Sequence, residues 1–397
     1  VIVVGTSAIV ASIALFSLMT LRTQSIGKDL TRDRLQAELM ARGIVDVARL
    51  LIENDSSWRS NRSVGTWITL TNGNTSAQVE VQDIDGNLND DPMDSISITG
   101  TATIGNARQK CNMTMYTSAE PLAAITSPIY ANNSVTVGLF QRITVTGGPI
   151  FSNGSITSLG TIVGDTLSNT YSGSNPSGTK TTGAQNRPLP SSSVMSYYEG
   201  LAQTVAYTGD WDERILAPGV NFGGATQTDG VYKIDTGGND LIIKDTRIHG
   251  TLIVKCGSGK IVRLMDRCLL QPARADYPVL ITDGSVSLHL KSGSENLTEN
   301  NIRVNFNPPN APYNSATDTD TSDVYPNEVQ GLVHAKANIW LNEDSRVYGA
   351  LLAEQSFTVF AGKSSIHYDP NLATSPPIGY RNFKMKVQPL SWRRVVD

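Results

Sequence analysis

The sequence predicts an α+β fold in three parts: a long N-terminal helix, a small antiparallel sheet and a parallel β-helix (β-solenoid). Three observations predict it. Residues 1–21, VIVVGTSAIVASIALFSLMTL, carry no charge, and no proline occurs before Pro92. Residues 64–117 alternate apolar and polar side chains in four runs. Beyond about residue 120, short strands punctuated by Gly and Asn recur at offsets of 21 and 18 residues.

The uncharged run comes first. As a helix its 21 residues span ~31 Å, about the thickness of a bilayer core. By itself it reads equally as a plain single-pass anchor. The continuation, residues 22–53, keeps helical spacing: Leu35, Leu39, Met40, Val47, Leu50 and Leu51 recur, with Ile44 and Ala48 on a neighbouring row. One helix over 1–55 is expected, with Gly27 a soft point costing ~1 kcal/mol relative to Ala. Its first half needs lipid or other copies of itself around Val1, Ile2, Val3, Val4, Ile9, Val10, Ile13, Leu15, Phe16, Leu18, Met19 and Leu21. Its second half needs a domain to lie against.

The four alternating runs are TWITLT (66–71), SAQVEVQD (76–83), SISITGTAT (95–103) and QKCNMTMYT (109–117), with turns at Asn72-Gly73 and Asp85-Gly86. They form an antiparallel sheet over 56–120 that can cover the amphipathic half-helix. Oxygen-bearing residues alternate at Asp83, Asp85, Asn87, Asn89 and Asp91, a pattern suited to Ca2+. The run lacks EF-hand spacing, so a polar hairpin loop is the favoured reading. Asp318, Asp320 and Asp323 form a sparser second acidic loop.

Residues 121–380 carry the repeats. Ser127-Pro-Ile-Tyr-Ala-Asn-Asn-Ser-Val-Thr-Val137 aligns with Gly148-Pro-Ile-Phe-Ser-Asn-Gly-Ser-Ile-Thr-Ser158, and Gly331–Leu341 aligns with Gly349–Val359. Strand-bearing repeats of this length stack into a β-helix, because one turn cannot bury its inward side chains alone. A jelly-roll or sandwich is the alternative. Polar stretches at 168–206 and 291–328 read as insertions, the first containing a short helix capped by Ser193, and 381–397 reads as a C-terminal cap.

The start directly in an apolar run, its length, and the stretch Ala41-Arg-Gly-Ile-Val-Asp-Val-Ala-Arg-Leu-Leu51 resemble the type IV pilins and the pseudopilins of type II secretion, specifically their larger, minor-pilin-like members. The pilin-type α-helix with a small sheet, followed by a solenoid, looks like large prepilin-like surface proteins. Where Val1 and Gly5 stand, typical major pilins carry Phe and Glu; that Glu pairs with a neighbouring N-terminal amine during assembly, and Gly5 offers no side chain for it. The resemblance implies cleavage before Val1 by a prepilin peptidase, insertion in the inner membrane before assembly, partners in the pilus assembly machinery, and a helical homopolymer at the cell surface.

Composition narrows the chemistry. Of 397 residues only 17% are charged, against about a quarter in ordinary globular proteins. Lys+Arg at 32 against Asp+Glu at 36 leaves no basic excess for nucleic acid. Four His and three Cys leave little room for a zinc cluster. β-helices also host polysaccharide-acting enzymes, but Asp245, Asp266, Asp276 and Asp283 show no spacing that singles out a catalytic pair, and His249, His289, His334 and His367 are scattered. Cys256 and Cys268 lie 12 residues apart on neighbouring segments and are candidates for a disulfide, leaving Cys111 as a small buried hydrophobe. Asn132-Asn133-Ser134 and Asn153-Gly154-Ser155 are sequons. The expected role is a structural, non-enzymatic subunit of an extracellular filament with no cofactor, a structural Ca2+ at the Asp83–Asp91 run being the less favoured alternative. A tip pilin or adhesin that binds glycans or surfaces is the alternative, and an anchored polysaccharide-acting enzyme the least supported reading.

Overall fold

With no proline to interrupt it, the N-terminal segment forms a single helix, α1 (Ile2–Asn54), which runs through Gly27 without a break. The computed structural model describes residues 2–395 except 56, 84, 90–93 and 292–294; for 2–14 and 26 it describes the backbone alone. Val1 and Asp91, and the side chains of Ile2, Val3, Val4, Ile9, Val10 and Ile13, therefore lie outside the described residues.

The four alternating runs become β1 (Gly65–Asn72), β2 (Thr75–Asp83), β3 (Ile96–Ile104) and β4 (Ala107–Pro121). They pair antiparallel in sequence order, with Gly73 at φ 57° supplying the tight turn between the first two. The helix lies on β2 and β3 through Ala37, Ala41, Ile44, Val45, Ala48 and Ile52, all buried. Of the bulky row read from the sequence, Met40 and Leu51 are half-buried, with Met40 against this core, whereas Leu35, Leu39, Val47 and Leu50 are exposed. The reason is distance. A Cβ on Gly100 of β3 would sit 2.3 Å from the carbonyl oxygen of Ala41. Only an alanine-rich helix face meeting a glycine lets the backbones approach so closely, and leucines would hold them apart.

The C-terminal segment does not cap the solenoid. Arg381–Val387 lies beside β4 at the edge of this sheet, and Arg393–Val395 pairs antiparallel with Asn112–Lys110 of β4. The free edge of β4 offers unpaired backbone groups, and these strands satisfy them. The unit thus comprises Val1–Ala119 and Phe383–Asp397.

The second unit, Glu120–Asn382, is a parallel β-solenoid. Its core is the expected inward set of Val, Ile and Leu, among them Ile129, Val135, Ile143, Leu252, Leu264, Leu288, Val333 and Leu351. The repeats are its registers. Ile129 pairs with Ile150 and Ser134 with Ser155, both at the offset of 21, and Gly331 pairs with Gly349 at the offset of 18.

The order of the turns departs from the order of the chain. The turn at Ile129–Thr146 sits in the interior of the stack. From it the chain winds outward through Ile150–Val163 and Thr166–Gly173 to one end. It then crosses to the far end and winds back through Val231–His249, Thr251–Gln271, Leu280–Leu290, Glu328–Leu341 and Arg346–His367. That last turn pairs in parallel with the first: Leu351 with Ile129, Phe357 with Val135, Ile366 with Val145.

The stretch at 168–206 is therefore no simple insertion. Thr166–Gly173 is a rung of the stack, and the following segment is the crossover, lying along the solenoid face. Its helix, Val194–Leu201, buries Val194, Met195 and Tyr198 against Tyr130, Ile253, Ile281 and Leu352; Ser193 makes no side-chain cap. The stretch at 291–328 is an insertion with a core of its own, Leu297, Ile302, Phe306 and Tyr325 against Leu269 of the solenoid.

Candidate functional site

On α1 the apolar side chains that the sheet does not cover fall into two groups. Leu15, Phe16, Leu18, Met19 and Leu21 are exposed, Phe16 by 75%. Leu35 and Leu39 are 59% and 61% exposed, and Val47 and Leu50 continue their row. At about 100° per residue this row faces away from the one buried on the sheet. The lower half of the helix thus buries one apolar face within its own unit and, opposite it, exposes apolar side chains interspersed with Arg32, Asp46 and Arg49. Each such leucine, if buried, would contribute roughly 1.5–3 kcal/mol. Among the described residues no helix is long and apolar enough to cross a membrane, a statement that leaves out the side chains of 1–14.

The solenoid carries a cleft of about 460 Å3, lined by Arg247, His249, Gln271, Gln330, Tyr348 and, from the insertion, Pro312, Asn314 and Ser315. His249, Gln271, Gln330 and Tyr348 belong to a ladder of side chains on successive turns that continues beyond the cleft. His249 is in register with Gln271, whose Nε2 donates to Gln330 Oε1 at 2.8 Å; Gln330 is in register with Tyr348, and Tyr348 with His367. His367 Nδ1 lies 2.7 Å from Thr146 Oγ1 on the next rung. At ~4.8 Å per rung the ladder spans about 24 Å. It presents amide, imidazole and phenol groups in one line, a set that can hydrogen-bond and stack on a polar chain.

Two nitrogens in this cleft are buried without a partner, Arg247 Nε and His249 Nδ1. Arg247 is itself buried. Its guanidinium donates to the carbonyl oxygens of Phe306, Ala311 (2.9 Å) and Pro312 (2.7 Å), and so fastens the insertion to the solenoid. Burial lowers its pKa to about 10, which leaves it a cation at neutral pH. Burial, and secondarily the Arg247 charge, lower the His249 pKa to about 4 from the ordinary 6.5.

The folded protein therefore binds fewer protons at His249 than the unfolded chain between these values. Stability should be fully present above pH 6.5 and fall as pH is lowered through the window toward 4. Urea denaturation at stepped pH should show this loss, and His249→Gln should flatten it; an unchanged slope in the variant would remove His249 as its source.

The other residues singled out by sequence have specific partners. Asp245 makes a two-pronged pair with Arg267 at 2.7 and 3.2 Å, and Asp266 faces Lys244 and Lys291. Asp276 pairs with Arg274, and Asp283 Oδ1 accepts from the N–H groups of Cys256 and Gly257. No two of these line the cleft. His334 is buried between Tyr380 (2.7 Å) and Glu354 (3.0 Å), tying the segment that follows the last turn to the solenoid face.

The candidate disulfide is not formed: Cys256 and Cys268 are free, buried thiols. Cys256 Sγ rests 3.4 Å from Thr282 Oγ1, whereas Cys268 stands in register with Thr246, beyond the bend at Asp266, with its Sγ against the carbonyl oxygens of Ile243 and Met265. Burial pushes the Cys268 thiol up to about 12. Nor is Asn153 free for glycosylation. Its Nδ2 donates to Tyr130, Asn132 and Arg187 O, and its Oδ1 accepts from Arg187 N, pinning the crossover segment.

Of the alternating oxygens, those of Asp83 and Asp85 come together with a carboxylate the sequence did not single out, Asp94. Asp83 lies 3.5 Å from Arg59, while Asp85 and Asn87 accept backbone N–H groups two residues on. Asp318 and Asp323 converge with Glu299, a residue the sequence did not single out; Asp320 turns instead to Ser322. The signal for Glu299 was its place at the start of a short turn with Tyr325 opposite, which pairing of Leu297–Thr298 with Val324–Tyr325 creates.

No protein-family pattern matches the chain, and no curated protein matches its sequence. Among solved structures it is similar to the competence-associated pilin ComZ from Thermus thermophilus, at 11% identity over 91% of this chain and 98% of that one, with a TM-score of 0.29. It is also similar to an ice-binding protein from an Antarctic biological consortium (11%, 63% of this chain and 91% of that one, TM-score 0.29) and to the ice-binding protein LeIBP from an Arctic yeast (12%, 64% and 94%, TM-score 0.31). At such scores these likenesses do not bear on what the chain does. The α+β architecture, a long helix with an antiparallel sheet and a parallel solenoid, stands on the strand pairings themselves.

Proposed function

We propose that this protein is a structural subunit of an extracellular, type IV pilus-like filament, polymerising through α1. The observation that carries the reading is the set of apolar side chains that helix leaves exposed. Leu35, Leu39, Val47 and Leu50 contribute nothing to the core of their own unit, yet they lie on the side of the helix opposite the sheet, among charged residues such as Lys28, Arg32 and Asp46. Parallel copies of the same helix would cover these side chains and the uncharged run. On this reading the partners are other copies, a prepilin peptidase and the assembly machinery, with passage through the inner membrane before assembly.

The test is electron microscopy of the full chain with the double variant Leu35→Asp/Leu39→Asp. Both positions lie outside the buried core, so circular dichroism and thermal melting should stay unchanged while filaments disappear. Fibres formed by the variant at the parental yield would refute the reading. A second role, binding of a polar surface or glycan by a tip subunit, is favoured by the His249–Tyr348 ladder. Gold labelling of the solenoid separates the two: label along the fibre supports the repeating subunit, and label at one end supports the tip.

A further inference from the structure

Building on the surface- or glycan-binding role above, on which this inference rests, we propose that the cleft binds one strand of a neutral, extended polysaccharide. One sugar ring lies against Tyr348, and the chain runs along the His249–Tyr348 ladder. Three separate segments line the cleft: the solenoid strands, the insertion through Asn314 and Ser315, and the stretch after the last turn through Asn371 and Leu372. Its volume of about 460 Å3 is that of an ordinary ligand site.

The charged groups of the cleft are already committed. Arg247 spends Nη1 and Nη2 on the carbonyl oxygens of Phe306, Ala311 and Pro312, and its Nε is buried out of reach of solvent. Asp369 Oδ1 accepts from the N–H of Asn371 at 3.0 Å. His249 is uncharged at neutral pH, since burial and secondarily the Arg247 charge lower its pKa to about 4. What remains is neutral and unspent. Among the described residues the side chains of Asn314, Ser315, Tyr348 and Asn371 make no hydrogen bond, and Gln271 donates to Gln330 without using its own carbonyl oxygen. A sugar hydroxyl both donates and accepts, and amides and hydroxyls answer it in both directions.

Tyr348 supplies the apolar contact. It is 47% exposed, although its strand is paired on both sides, with Gln330 and His367 in register beside it. An open phenol ring between two hydrogen-bonding side chains suits a pyranose, whose C–H face covers the ring while its hydroxyls reach the flanking groups. The straightness of the ladder selects an extended chain. Its groups stand ~4.8 Å apart, about one hexopyranose ring per rung. Beyond the cleft the line continues to His367 and Thr146, so a long chain has further partners. A coiled chain would leave this line after its first rings.

Saturation-transfer NMR and calorimetry on the full chain in detergent test this. The extended neutral probes are cellohexaose, mannohexaose and chitohexaose; maltohexaose is the coiled probe and hexagalacturonate the acidic one. At least one extended neutral probe should bind, with the coiled and acidic probes weaker by about tenfold or more. Tyr348→Ala should weaken that binding about tenfold, while Tyr116→Ala, outside the cleft, leaves it unchanged. Thermal melting confirms that both variants are folded. No binding of any extended neutral probe at millimolar concentration would overturn the proposal. So would hexagalacturonate binding as tightly as the neutral chains, or affinity that survives Tyr348→Ala. The tip location is read separately by gold labelling and the filament by microscopy, so either can fail while the cleft still binds, and the reverse.

Discussion

Gly349→Val should destabilise the solenoid by about 3 kcal/mol or more, at the upper end of overpacking costs. A Cβ on Gly349 would lie 1.9 Å from the carbonyl oxygen of Gly331 and 2.6 Å from its carbonyl carbon. Both obstacles are backbone, so no rotamer change relieves the clash. The location multiplies the effect. Arg346–Ala353 is paired on one side with Glu328–Ala335 and on the other with Ile129–Ala131, where the last turn closes on the first. Moving it to admit a side chain breaks hydrogen bonds in both directions. Urea denaturation followed by circular dichroism measures the loss, and a variant within about 1 kcal/mol of the parent would show that the two turns are not held at this distance.

Arg247→Met should cost about 3–5 kcal/mol and release the insertion. Methionine keeps much of the volume but donates to none of the carbonyls of Phe306, Ala311 and Pro312, which would then lack their donor. Loss of the charge recovers some desolvation energy, and the orphaned carbonyls outweigh it because each carries its own penalty of roughly 1–3 kcal/mol. Limited proteolysis should cut the variant within 303–318 well before the parent is cut anywhere. Equal protection of that stretch in both proteins would show that its small apolar core, and not Arg247, holds it.

These two residues differ in how far the sequence announces them. Gly349 is legible there, because aligning Gly331–Leu341 with Gly349–Val359 sets the two glycines opposite each other, and the strands pair in that same register. Arg247 is not. Its partners lie about sixty residues away, in a stretch with no periodicity. The ladder is hidden for the same reason: His249, Gln271, Gln330, Tyr348 and His367 share a line only once the turns are stacked, and their separations in sequence are unequal. The helix shows the opposite failure. Its periodicity is plain, but two apolar rows fit it, and side-chain size favours the leucines. The sheet takes the alanines because close backbone approach requires them, which leaves the leucines outside.

The sequence alone therefore determined the local elements: the helix of Ile2–Asn54, the four alternating strands, and a solenoid whose repeat offsets are its hydrogen-bond registers. Each follows from interactions between near neighbours, or from a repeat that records one turn on the next. Only the tertiary structure decided that the last turn docks on the first, that Arg381–Val387 joins the sheet rather than capping the solenoid, and that Glu299 meets Asp318 and Asp323. Those choices rest on which open strand edges find a partner and which buried charges find a donor. Edge pairing is made by backbone groups that every residue carries, so it leaves no mark in the pattern of side chains.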